Sequence, residues 1–279
     1  MVDVILDSVI DTLKMLPFLF AAYLLIEYLE HKASDRLTGA LSRMGPLGPV
    51  GGAVLGCLPQ CGFSAMAANF FSGRIITIGT LIAVFLATSD EAIPILLAHP
   101  DKLSYLWPLI ILKIIVAVVA GITTDLVCSF IKKGKKDEPF HEICEHCHCD
   151  KEGIFKSAIR HTIQIFIFIL AVNLIMGTAI HFIGEENISR LMLSDSVFQP
   201  FLTALIGFIP NCASSVILTE LFISGSISFG AAVAGLSTGA GIGLAVLFRT
   251  NKHTKQNLVI MAILYVSAVA FGLIINACI

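Results

Sequence analysis

The sequence predicts an all-α polytopic membrane protein made of two inverted-topology repeats with broken helices and re-entrant hairpins. Three observations predict this. Of 279 residues, 56% are hydrophobic and 14% charged, and the mean hydropathy is +0.89, whereas a soluble domain carries about a quarter charged residues. Charges are gathered into short stretches between long apolar runs, each near the length of a bilayer span. A shift of 151 positions lays Pro59 on Pro210, Gln60 on Asn211, Cys61 on Cys212, Ser64 on Ser215 and Gly79 on Gly230, the self-similarity that an internal repeat leaves. A disordered chain, a nucleic-acid binder and a soluble enzyme are excluded by this composition.

The N-terminus has no basic leader, short apolar core or small-residue cleavage site, so no removable signal peptide is expected. Residues 9–30 form a first apolar span of the roughly 20 residues a crossing needs. The stretch 46–72 is interrupted by Pro59-Gln60-Cys61-Gly62, which leaves two arms of about 12 residues, too short to cross but suited to a re-entrant hairpin. Residues 75–99 are broken at Thr88-Ser89-Asp90-Glu91, and 105–131 form an unbroken span. After a polar linker the pattern repeats: 157–183 spans, 197–222 is interrupted at Pro210–Ser215, 226–248 is broken at Thr238-Gly239-Ala240-Gly241, and 257–279 spans. The expected units are therefore a first repeat at 1–131, a linker at 132–156 and a second repeat at 157–279.

Lys and Arg gather in 32–43, 132–160 and 249–255, and the positive-inside rule places all three in the cytoplasm. Three apolar stretches lie between the first two clusters, so one of them must return to its own side. With one hairpin in each half, each half crosses three times, the halves are inverted, and both termini lie outside the cytoplasm. The expected location is the inner (plasma) membrane, with a multi-pass chain and a cytoplasmic linker loop.

Intramembrane acids are the sharpest chemical signal, since a central Asp costs about 2.5–3.5 kcal/mol on insertion scales. Asp90 and Glu91 are adjacent in such a segment; a bound cation or proton compensates them, or they cap the second half-helix with Thr88 and Ser89. Gln60 with Cys61 and Asn211 with Cys212, near Ser64 and Ser215, place soft sulfur beside hard oxygen, a mixture that suits a divalent transition metal. The plain alternative is that each Cys is a small packing residue. Glu220, which falls on Asn69, is a further carrier candidate; a Lys113–Glu220 or Lys113–Asp125 pair is its bland counterpart. Gly235, Gly239 and Gly243, four apart, read as a close-packing stripe.

The loop His141-Glu142-Ile143-Cys144-Glu145-His146-Cys147-His148-Cys149-Asp150 concentrates thiols and imidazoles. Cys144 and Cys147 have zinc-ligand spacing, and His141, His146, His148 and Cys149 complete a set suited to a thiophilic ion. With no second spaced ligand pair, it reads as a capture or sensing loop rather than a folded zinc module. The basic run KKGKKD lacks a phosphate-loop frame, so pumping is expected to draw on a proton or sodium gradient or on a partner.

At 56–97 and 207–248 the chain resembles a heavy-metal exporter family described as having ten transmembrane segments, whose members are labelled arsenic efflux proteins or manganese transporters. The resemblance covers nearly the whole chain. It implies export of a metal or metalloid, with Pro59-Gln60-Cys61, Ser89-Asp90-Glu91 and Pro210-Asn211-Cys212 at the motif positions. Six crossings plus four re-entrant arms reconcile that count with the one above.

The resulting expectation is a secondary-active exporter of a divalent transition metal, with Mn²⁺ favoured because oxygens outnumber thiols at the proposed site. It is not an enzyme and requires no cofactor; its partners are the lipid bilayer and the metal, with a homodimer left open. Arsenite or organoarsenical efflux through Cys61 and Cys212 is an alternative. A membrane thiol oxidoreductase using Cys57 and Cys61, an aspartyl protease using Asp90 and Asp125, and a metal sensor acting through the linker loop are rivals of other classes.

Overall fold

The computed structural model describes residues 47–58, 61–88, 92–131, 154–183 and 197–278, with scattered helical positions between 6 and 24; of Cys61 and Cys212 it describes the backbone alone. Gln60, Ser89, Asp90, Glu91 and the linker residues His141, Cys144, His146, Cys147, His148 and Cys149 lie outside the described residues. Within those bounds the chain is helical, without strands. The helices are α1 Gly48–Gly56, α2 Cys61–Ser72, α3 Ile78–Ala87, α4 Ala92–Ala98, α5 Leu106–Ile131, α6 Ile154–Ile183, α7 Gln199–Gly207, α8 Cys212–Ile223, α9 Phe229–Thr238, α10 Ile242–Thr250 and α11 Thr254–Cys278. Stretches 78–98, 103–130, 158–175, 229–250 and 254–278 are long and apolar enough to cross a membrane.

All four interruptions read from the sequence are helix breaks: α1 stops before Pro59, α3 before Ser89, α7 before Pro210 and α9 at Gly239. At about 1.5 Å per residue, the 9 residues of α1 and 12 of α2 rise roughly 14 and 18 Å, each short of a bilayer core of about 30 Å. The bounds of α1, α2 and α3 reappear, displaced by 151 positions, as those of α7, α8 and α9. Contacts recur at the same offset. The Gly79 N–H donates to Asp125 Oδ1 (2.8 Å), and the Gly230 N–H to Asn276 Oδ1 (2.9 Å). Thr77 caps α3 through the Thr80 N–H, and Ser228 caps α9 through the Ala231 N–H.

Burial sorts the helices. Every residue of α3 and α9 after the half-buried Ile78 and Phe229 that begin them is buried, as expected of helices that are apolar all round. Helix α5 turns an apolar stripe outward (Trp107, Ile111, Ile115, Val119, Phe130) and buries Leu109, Val116, Ala117 and Ala120, the two-sided apolarity of a helix between lipid and a protein core. Small residues let the backbones close in. A Cβ on Gly79 would stand 2.2 Å from the Gly121 carbonyl oxygen, and one on Gly230 2.3 Å from that of Gly272.

Each broken helix also changes partners at its break. Helix α3 packs in one core with Ala65, Val116 and Ala120, whereas Ala92 and Leu96 of α4 belong to the other, with Leu218, Phe222 and Leu236. Conversely α9 sits in that second core, while Ile242, Leu244, Val246 and Leu247 of α10 join the first. The halves are thus interlocked, and the chain crosses between cores at the two breaks.

Candidate functional site: the junction of the broken helices

A helix end leaves its last four carbonyls without intrahelical partners, and here two such ends lie inside the protein. At the end of α9, the Gly235 carbonyl accepts the Thr238 hydroxyl (3.0 Å) and the Thr238 carbonyl accepts the Ala240 N–H (2.7 Å). Gly241, at φ 52°, lets the chain turn into α10. The carbonyl of Leu236 is taken by Lys113, whose Nζ donates to it at 2.6 Å. The same Nζ donates to the carbonyl of Thr88, the residue that caps α3.

Lys113 therefore joins the C-terminal ends of one broken helix from each half, and it is fully buried. Each helix end carries roughly half a negative charge, so two ends and their carbonyls form a site suited to a cation. The second half has no counterpart, since Leu264 stands at the position displaced by 151 and is itself fully buried.

Hydroxyls flank the break between α9 and α10. Ser64, on the first turn of α2, is fully buried and packs so closely on α10 that a Cβ on Gly243 would lie 2.7 Å from the Ser64 Cβ. Ser215, on the first turn of α8, has its Oγ 3.5 Å from where a Gly239 Cβ would be. The structure thus brings Ser64 and Ser215, related by the repeat, to the same break. Ser237, one residue after Leu236, is 1% exposed and its Oγ has no hydrogen-bond partner among the described residues, an uncommon state for a buried hydroxyl.

Asn211 does a different job. Its Oδ1 accepts the Ala213 N–H (2.8 Å) as the N-cap of α8, and its Nδ2 donates to the Asn173 carbonyl (3.3 Å), tying the hairpin to α6. Glu220 is exposed on α8, on the face it shares with Ala213, Val216 and Ile223, away from the junction. Neither expected partner of Lys113 is the observed one. Glu220 is exposed, and Asp125 lies twelve residues along α5, about 18 Å away, where it accepts the Thr77 hydroxyl and the Gly79 N–H. Among the described residues, the carbonyls of Thr88 and Leu236, delivered by the two broken helices, accept from the Lys113 ammonium.

Among the described residues no three His, Cys, Asp or Glu side chains come together as a metal-ligating group. The role of Lys113 was missed in the sequence, although a lone cation inside a 26-residue apolar helix is a signal in itself.

The contacts also sort the loops into two ends. The Ser72 and Thr250 hydroxyls meet at 2.7 Å, and Thr77 meets Asp125, so residues 72–77, 125–131 and 249–255 share one end. Tyr105, Phe222 and Phe229 cluster with ring centroids 5.2–5.6 Å apart at the other. Arg74, Arg249, Lys252 and Lys255 belong to the first end, where Arg74, His253, Lys255 and Gln256 line a cleft.

A family model described as "Putative, 10TM heavy-metal exporter" matches residues 1–185 and 154–279, which together take in the whole chain. No curated protein and no solved structure matches it.

Proposed function

The chain belongs to this heavy-metal exporter family of multi-pass membrane proteins, and on that premise we propose that it exports a divalent transition-metal ion, Mn²⁺ first, through the junction of its two broken helices. The observation that carries the proposal is the pair of helix ends, one from each half, turned onto a single buried cation. Discontinuous helices whose C-terminal ends and freed carbonyls receive cations are a recurring transporter device, and irregular backbone at membrane depth is tolerated where it lines such a site.

The ligands follow from what reaches the junction. Ser89, Asp90 and Glu91 directly follow Thr88, and Ser64, Ser215 and Ser237 add hydroxyl oxygens. Gln60 and Cys61 lead into α2, and Cys212 begins α8; Asn211 stays out of the set because its amide oxygen caps that helix. Oxygen outnumbers sulfur in this set, which favours Mn²⁺ over a thiophilic ion. Protonation of Asp90 or Glu91, or sodium binding there, releases the metal on the far side and couples export to a gradient.

The end holding Arg74, Arg249, Lys252 and Lys255 faces the cytoplasm of the inner (plasma) membrane by the positive-inside rule. On that reading the α1–α2 hairpin enters from the cytoplasm and the α7–α8 hairpin from outside, so the two repeats are inverted and both termini lie outside. The linker with Cys144, Cys147 and its histidines is then cytoplasmic, placed to deliver or sense a thiophilic metal.

The test is the metal content of cells expressing the chain or its Asp90→Asn variant, challenged in turn with Mn²⁺, Fe²⁺, Zn²⁺, Co²⁺ and arsenite. The expected result is that Mn²⁺ falls with the wild type and not with the variant; unchanged export by Asp90→Asn overturns the proposal. A second reading, arsenite efflux, is favoured by one feature: Cys61 and Cys212 are the first residues of α2 and α8, related by the repeat. Loss of arsenite resistance on Cys61→Ala, with Mn²⁺ levels unmoved by either variant, selects it.

A further inference from the structure

The proposed metal site and Lys113 call on the same groups. The ammonium holds the Thr88 and Leu236 carbonyls, fully buried, at the point where two negative helix ends meet. A transported cation entering the junction meets those carbonyls, and two cations packed there repel strongly in a medium of low dielectric. Conversely, an empty junction with no cation leaves helix ends and freed carbonyls uncompensated inside the membrane.

Resting on the metal-export reading, we propose that Lys113 is the carrier's tethered counter-cation: it fills the junction when metal is absent and swings off the helix ends when metal binds. Its consequence is kinetic. The metal-loaded carrier crosses with the metal compensating the junction, and the empty carrier returns with the ammonium in its place. Ser237, whose buried hydroxyl has no hydrogen-bond partner among the described residues, follows Leu236 in the chain and is available to the incoming ion.

A structural cross-link between α3, α5 and α9 is the rival role, and flux measurements separate the two. Purified full-length protein in proteoliposomes is assayed for net Mn²⁺ movement and for exchange of isotopic Mn²⁺ between equal pools, which needs metal-loaded crossings alone. Lys113→Leu reproduces the buried Leu264 of the second half, and Lys113→Gln keeps hydrogen-bond donors for the two carbonyls without the charge. Lys113→Arg keeps the charge.

For the Leu and Gln variants the expected result is net movement reduced at least about tenfold while exchange persists, with Mn²⁺ bound about tenfold more tightly, the scale on which two ligands usually compete through one element. Lys113→Arg is expected to restore net movement in part. If the Leu variant does not fold, the Gln and Arg pair carries the comparison. Net movement and exchange falling together in Lys113→Gln, or net movement left intact, overturns the counter-cation. Normal Mn²⁺ export by wild type with that outcome sinks this inference alone, whereas wild-type silence toward every divalent metal sinks it together with the export reading.

Discussion

Truncating Asp125 to alanine is expected to destabilise the protein more than truncating Asn276, although the two side chains hold equivalent places in the two halves. Asp125 accepts the Gly79 N–H at 2.8 Å and the Thr77 hydroxyl at 2.7 Å, both at the N-terminus of α3. Hydrogen bonds to a charged acceptor are worth about 1.5–3 kcal/mol each, and a carboxylate at a helix N-terminus adds about 0.3–1 kcal/mol. Asp125 is half-buried, so solvent screening brings the whole down to about 2–3 kcal/mol. Asn276 accepts the Gly230 N–H at 2.9 Å, one neutral bond worth about 0.5–1.5 kcal/mol. The difference is thus about 1.5 kcal/mol, readable in equilibrium unfolding of purified protein in mixed micelles. Asp125→Asn imitates the second half, keeps the acceptor for Gly79, and is expected within about 1 kcal/mol of wild type. Should Asp125→Asn lose as much as Asp125→Ala, the capping role is refuted and the carboxylate's charge, in ion transfer or elsewhere, is what matters.

Three further outcomes follow from the packing and the site. Gly79→Ala and Gly230→Ala each force a Cβ to within 2.4 Å of a facing carbonyl oxygen, and are expected to cost upwards of about 3 kcal/mol, seen as loss of monodisperse protein on size exclusion; normal yield contradicts the close approach. Glu220→Gln is expected to leave metal export within about twofold of wild type, because an exposed side chain off the junction gains little from its charge; a loss beyond tenfold in vesicle flux places Glu220 on the ion path. Cys61→Ala and Cys212→Ala are expected to retain Mn²⁺ export while shifting selectivity away from Zn²⁺ and Co²⁺, since removing sulfur hardens the ligand set; equal loss for all metals indicates that the thiols serve packing instead.

Much of the architecture was legible because bilayer chemistry leaves few choices. Apolar length marked the spans at 105–131, 157–183 and 257–279, while the expected span 9–30 lies largely outside the described residues, and the interruptions read at Pro59, Pro210 and Gly239–Gly241 fall between successive helices. The expected stretches 75–99 and 226–248 match the helix pairs 78–98 and 229–250. Asn211 as a helix cap follows from its residue type, and a cap uses the oxygen that a ligand reading also assigned to it. Glu220 was harder to place because α8 also buries the polar Ser214, Ser215 and Thr219, so polarity does not mark its outward face.

Lys113 shows where one-dimensional reading runs out. Buried charges usually pair with opposite charges, and two acids stood ready in the sequence. Among the described residues its partners include backbone carbonyls from positions 25 and 123 residues away, freed by breaks in two helices that meet through tertiary packing alone. The exchange of α4 and α10 between the two cores is likewise invisible in local pattern, since either core satisfies their apolar residues equally well.

Metal binding at the junction is tested most directly by Mn²⁺ titration of the purified full-length chain, following loss of the free-ion electron paramagnetic resonance signal. The protein is compared with Asp90→Asn and with a variant carrying Ala in place of Cys144, Cys147 and Cys149. Saturable Mn²⁺ binding that survives the linker substitutions and is weakened at least about tenfold by Asp90→Asn is the predicted result, a tenfold change being about 1.4 kcal/mol. Binding that disappears with the linker cysteines and ignores Asp90 contradicts a metal site between the broken helices.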